Sequence, residues 1–159
     1  YIDSLDSGIR IFPELIEDNK NKGDFYKKWG NNFNRHELLK EKGHEVVDMG
    51  PYNKDRVDYP DYAHKVAEAV LTDATAQGIL ICGSGIGMSM AANRHAGIRA
   101  ALCHDAYTAT VARGHNDANI LCFGERIVGK GVAESILDAW IAGTFDGGRH
   151  CGRVEKIEG

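Results

Sequence analysis

Cys82 ends the apolar run Gly78-Ile79-Leu80-Ile81 and is followed by Gly83-Ser84-Gly85-Ile86-Gly87, then by the small-residue pattern Met88 to Asn93. That order puts a thiol at the carboxyl end of a strand, above a glycine loop that opens a helix. Glycines let backbone N–H groups approach a ligand closely, and the helix start adds positive partial charge. Such surroundings favour a thiolate. Three chemistries are open to the segment. It can bind a nucleotide, because Asp105 follows another strand about twenty residues on, although Met88 stands where a dinucleotide fingerprint has its third glycine. It can move a proton, with Cys82 as base, Ser84 beside it and the loop amides as donors to a developing oxyanion. Or Cys82 is only the last buried residue of its strand.

Two further clusters carry groups of the same kind. Arg113-Gly114-His115-Asn116-Asp117 precedes the strand that contains Cys122, at a loop edge. His115 can titrate near neutrality and Asn116 can donate to an anionic oxygen, while the bland alternative is a polar turn. The tail GGRHCGRVEKIEG holds Arg149, His150 and Arg153 within five positions. Two arginines can fork onto phosphate oxygens, or they form a solvated basic end balanced by Glu155 and Glu158. Arg126, after Gly124, is a third candidate for a phosphate.

The elements that position these groups alternate strand and helix from residue 44 onward. Strands are expected over 44–48, 78–82, 98–103 and 119–123. Helices are expected after Pro60, over 87–94, over 106–113 and over 131–142, the last with an apolar stripe of Val132, Ile136, Leu137, Trp140 and Ile141. Near-continuous apolar strands separated by helices require a parallel sheet covered on both faces. The class is α/β, doubly wound. Residues 1–30 differ: rich in charge, Asn and Gly, they show no convincing buried strand and form an atypical N-terminal segment. Asn31 to Lys42 reads as helical through Phe33, Leu38 and Leu39.

The chain has 159 residues, 43% hydrophobic and 26% charged, with a formal charge of −4. Those values fit a single soluble domain, with 31–159 as its α/β body. No apolar stretch approaches the roughly 18 residues of a membrane span. Tyr1 to Phe12 lacks the basic and apolar regions of a secretory leader. The negative charge argues against a nucleic-acid binder. Cysteines at 82, 103, 122 and 151 form no CxxC pair or zinc spacing, so reduced, mostly buried thiols of a cytoplasmic protein are expected.

Five segments in order resemble one family, the ribose-5-phosphate isomerase B and galactose-6-phosphate isomerase family of sugar-phosphate isomerases. They are VDYPDYA at 57–63, GILICGSGIGMSMAAN at 78–93, GIRAALCHD at 97–105, ARGHNDANIL at 112–121 and GGRHCGRVEKI at 147–157. The resemblance implies a Rossmann-like three-layer α/β/α fold with an open parallel sheet, a homodimer or tetramer with active sites shared between subunits, a phosphorylated sugar as substrate, and neither cofactor nor metal. It makes Cys82 the base that moves a proton between C1 and C2, with Ser84 beside it. Gly83, Gly85, Ile86 and Gly87 become the amide hole for a cis-enediolate. His115 becomes the ring-opening group with Asn116 in support, and Arg126, Arg149 and Arg153 the phosphate clamp. The implied reaction interconverts ribose 5-phosphate and ribulose 5-phosphate.

Members of that family begin with a strand followed at once by an Asp-His pair, and residues 1–42 carry none. Arg35-His36 is the nearest basic pair. A sugar-phosphate-binding partner subunit of impaired activity is therefore a second expectation, and a nucleotide-binding Rossmann-like domain a third.

Overall fold

The apolar runs Gln77–Cys82 and Ile120–Gly124 lie side by side as parallel strands, and the other elements are arranged about them. The computed structural model describes residues 7–12, 39–40, 43–50 and 57–159. Its strands are β1 (Ser7–Phe12), β2 (Glu45–Asp48), β3 (Gln77–Cys82), β4 (Ala100–Leu102) and β5 (Ile120–Gly124). Its helices are α1 (Tyr59–Leu71), α2 (Ile86–Ala92), α3 (Ala106–Asn116), α4 (Lys130–Ala142) and α5 (Cys151–Glu158). A 3₁₀ turn at Gly148–His150 leads into α5.

The strands form one open sheet in the order β2-β1-β3-β5-β4. β3, β5 and β4 are parallel, whereas β1 is antiparallel to both of its neighbours. β2 therefore points the same way as β3. Alternation along the strands splits the core between two faces. Ile79, Ile81, Leu121 and Phe123 pack with Ala109, Ile136, Leu137 and Trp140 of α3 and α4. Leu80, Cys82, Ile120 and Cys122 pack with Val66, Val70 and Met88 of α1 and α2. These two clusters give the three layers expected of the sequence. Each fully buried Ile or Leu adds about 1.5–3 kcal/mol.

Local signals set the helix ends. Pro60 occupies the first turn of α1, where its missing N–H costs nothing. Asp105 caps α3, accepting the Thr108 amide at 2.7 Å in a capping box. α3 runs three residues beyond the expected Arg113, so His115 and Asn116 sit in its last turn and not on a loop. Val132 is exposed, because Ala133, Ile136, Leu137 and Trp140 face the sheet and Val132 is one step off that face.

The atypical N-terminal segment does contain a strand. Ser7 pairs with Ile81 and Ile11 with Gln77. The alternation Ile9-Arg10-Ile11, short and set among charged residues, is the signal that composition concealed. Because β1 is reversed, the chain leaves it at the edge away from Cys82, and Ser7 enters beside Ile81. The expected helix over 31–42 lies outside the described residues except at 39–40, which are helical, with Leu39 fully buried. Arg35-His36 lies outside them too. No helix among the described residues is long and apolar enough to cross a membrane.

Candidate active site

Cys82 is the last residue of β3, in register with Gly124 at the carboxyl edge of the sheet, and is 5% exposed. The chain turns at once: Gly85 adopts φ 77° and caps α2. Only glycine fits there, since a Cβ would stand 2.7 Å from the Phe123 carbonyl carbon and 2.6 Å from Leu102 Cδ1. The turn carries the Gly85 N–H back to within 3.1 Å of Cys82 Sγ, to which it donates. An amide aimed at sulfur is the kind of donor a thiolate accepts well.

Ser84 Oγ accepts the Ile86 amide at 3.3 Å. Gly85 and Ile86 thus spend their N–H groups within the loop. Those of Gly83, Ser84 and Gly87 have no acceptor among the described residues. Gly124 packs against the Ser84 backbone, and the Arg126 guanidinium lies beside Gly83, 3.4 Å from where its Cβ would be. Arg126 N donates to Gly83 O, tying the two loops together. The other buried thiols are unsuited to act as a base: burial pushes Cys103 up to about 11 and holds Cys122 well above the ordinary value.

The remaining candidates gather at the opposite, amino edge. α3 runs back from the end of β4, so its last turn delivers His115 and Asn116 beside the start of β5. His150 stacks on His115 with ring centroids 4.4 Å apart and planes 7° from parallel. Asp146, which the sequence did not single out, holds Oδ2 3.9 Å from His115 Nε2 and donates its amide to Gly114 O at 2.9 Å. Gly114 permits this approach, since a Cβ there would press on the carboxylate at 3.1 Å. Burial, then the charges of His115, Arg149 and Arg153, hold His150 below the ordinary imidazole value. Arg149 and Arg153 are exposed on either side of it.

The donor atoms of His115, Asp146 and His150 lie within 4.8 Å of one another, close enough for a metal. Parallel rings, however, aim their nitrogens alongside one another and not at one centre, and the neighbouring arginines oppose a dication. The trio is better suited to handling a proton. A cleft of about 610 Å³ also opens at the amino edge, lined by Asn93, His95, Arg99, Asn116, Ile157 and Glu158. It meets the sequence-derived candidates only at Asn116.

The candidate groups among the described residues therefore fall into two clusters on opposite edges of one sheet. The Cys82 thiol, the glycine-loop amides and Arg126 form one; Asp146, His115, His150, Asn116 and two arginines form the other. A Rossmann-like α/β domain with a thiol over a glycine loop defines the class. Within that class, residues 32–157 match the ribose/galactose isomerase model, and the chain belongs to this family. It is 50% identical over 126 residues to ribose-5-phosphate isomerase B of Escherichia coli, covering 77% of this chain and 85% of that protein. It is 51% identical over 122 residues to a putative sugar phosphate isomerase of Bacillus subtilis, covering 76% and 82%. Ribose-5-phosphate isomerase B of Clostridium thermocellum superposes with a TM-score of 0.76 at 51% identity, covering 78% of this chain and 84% of that one. In place of the dinucleotide fingerprint's third glycine, Met88 is fully buried in the packing of α1 and α2.

Proposed function

We propose that the chain is a sugar-phosphate aldose–ketose isomerase acting on ribose 5-phosphate and ribulose 5-phosphate, with Cys82 as the base. The observation that carries this is the Cys82 sulfur, held by the Gly85 amide over a loop whose Gly83, Ser84 and Gly87 amides have no acceptor among the described residues. The thiolate takes the C2 proton, and the C–H electron pair forms the C1–C2 double bond as charge moves to O1. Free amides hold the resulting enediolate, which they stabilise more than they do the neutral aldehyde. The thiol then returns the proton to C1, and the O2 proton passes to O1.

A furanose must open first. His115 takes the O1 proton and passes it to the ring oxygen as that oxygen's bond to C1 breaks and the C1 aldehyde forms; Asn116 steadies the sugar oxygens. Arg126, Arg149 and Arg153 hold the phosphate. His115 and the two tail arginines are at the wrong edge to meet Cys82 of their own chain, which supports a homodimer, or a tetramer of such dimers, with shared sites. α2 supports the same reading. It begins at the glycine loop, ends toward the amino edge and exposes Ile86 and Met90 one turn apart. An antiparallel contact of α2 with its copy would bring each glycine loop toward the other chain's His115.

We take residues 31–159 as the isomerase α/β body and residues 1–30 as its atypical N-terminal segment, in a single domain overall, since β1 lies within the same sheet between β2 and β3. A cytoplasmic location is supported by four free cysteines, with Cys151 exposed. The test is a coupled assay of ribose 5-phosphate conversion, run beside Cys82→Ala. We expect the variant to lose about 10²-fold or more; equal rates would remove Cys82 as the base.

A further inference from the structure

Arg99 lies just before β4 and belongs to none of the groups assigned above. Its Nε donates to the Asp117 carbonyl at 2.7 Å, and its Nη2 to Asp117 Oδ2 at 2.9 Å. Its Nη1 donates to Glu158 Oε1. Asp117 is the residue immediately after His115-Asn116 and ends α3 at φ 47°, the one non-glycine residue with positive φ among those described. Glu158 ends α5, the helix that carries Arg153, and its Oε2 accepts the Gly97 amide at 2.9 Å. The Arg99 backbone is itself fixed, donating to Asn119 Oδ1 at 2.8 Å and accepting the Asn119 amide at 3.1 Å. One planar guanidinium thus joins the strand, the end of the sugar-handling helix and the end of the phosphate-binding helix.

We infer that Arg99 is a positioning residue that holds His115-Asn116 and Arg149-Arg153 in the one spacing at which both engage the same sugar phosphate. This depends on the isomerase reading above. A side chain 16% exposed, with three donors used in a fork, cannot be replaced by a lysine, which offers a point charge. Removing the fork frees the αL turn after Asn116 and unpins α5, so ring opening and phosphate binding lose their common frame. Glu158 carries only the second of these links.

The two effects separate with a substrate that cannot close a ring. An aldose phosphate lacking the C4 hydroxyl, 4-deoxyribose 5-phosphate, has no O4 for a furanose, and its O5 is esterified. It needs Cys82 but not ring opening. We expect Arg99→Gln to lower kcat on ribose 5-phosphate about tenfold or more and on the open-chain analogue less than about threefold. We expect Glu158→Gln to raise KM for both substrates about threefold or more with kcat kept. Arg99→Lys should resemble Arg99→Gln, and it replaces that variant if Gln fails to fold by circular dichroism. Equal falls in kcat on both substrates in a folded Arg99 variant, or unchanged constants in Glu158→Gln, would overturn the assignment. Wild type and Cys82→Ala run alongside: if wild type is inert, or Cys82→Ala is as active as wild type, it is the isomerase reading that fails.

Discussion

Opposite-edge placement of Cys82 and His115 sets a quantitative demand on the assembly. Four strand steps from Ile120 to Gly124, at about 3.3 Å each, separate the edges by roughly 13 Å, before any reach back to His115. A proton-transfer group must come within about 3 Å of the atom it serves, directly or through one water, so the pair in one chain cannot serve one pentose. Cys82→Ala and His115→Ala should each be nearly inactive, because loss of a general acid or base costs about 10²–10⁴-fold. Mixed in equal amounts, unfolded and refolded together, the two chains form mixed dimers about half of the time. In a mixed dimer one site has lost both groups, and the other takes Cys82 from one chain and His115 from its mate. Activity should therefore return to about a quarter of wild type. The assay is ribose 5-phosphate turnover, with native mass spectrometry to count mixed dimers. Mixed dimers present at their statistical share with no activity above the parents would refute the shared site.

Gly85→Ala should lose turnover and about 2–5 kcal/mol of stability in urea, combining a left-handed alanine with overpacking against Phe123 and Leu102. A loss under about 1 kcal/mol with full activity would mean that the loop is not rigid as described. Acid should act in two windows. His150 is depressed in the fold, so the unfolded chain takes up the proton more readily below the ordinary value of 6.5, and stability falls as pH drops past it. Asp105 is held below the ordinary 3.8, chiefly by the Thr108 amide, so its contribution stands above that value and is lost as pH falls through it. Urea midpoints against pH should flatten in the upper window for His150→Gln and in the lower one for Asp105→Ala; unchanged curves would contradict both assignments.

The glycine loop was legible because its chemistry is local. An apolar strand, three glycines and a small-residue helix lie within sixteen consecutive positions, and nothing distant is needed to form them. That β3, β5 and β4 run parallel followed from apolar runs alternating with helices, whereas their order in the sheet did not. The grouping of His115 with Asp146 and His150 was not legible, because stacking across 35 residues leaves no period in the sequence. Arg99 was hidden in the same way: its Asp117 and Glu158 links lie 18 and 59 residues away. β1 was missed because two isoleucines about an arginine are too short a pattern to outweigh the charged residues around them.

The reversal of β1 bears on how the carboxyl edge works. A parallel strand beside β3 would deliver its following residues next to Cys82, which is where an Asp-His pair could meet sugar and phosphate. An antiparallel strand delivers its beginning instead, and Ser7 is what enters beside Ile81. Among the described residues, the candidate groups at that edge are the thiol, the loop amides and Arg126, which the proposed function assigns to the enediolate and one face of the phosphate. The imidazoles and the second and third arginines sit at the amino edge, tied there by Asp146, Arg99 and Glu158. With Cys82 as the proposed base and His115 as the proposed ring-opening group, neither edge holds both among the described residues, so the proposed reaction on a cyclic sugar phosphate requires the opposite edge of a second copy.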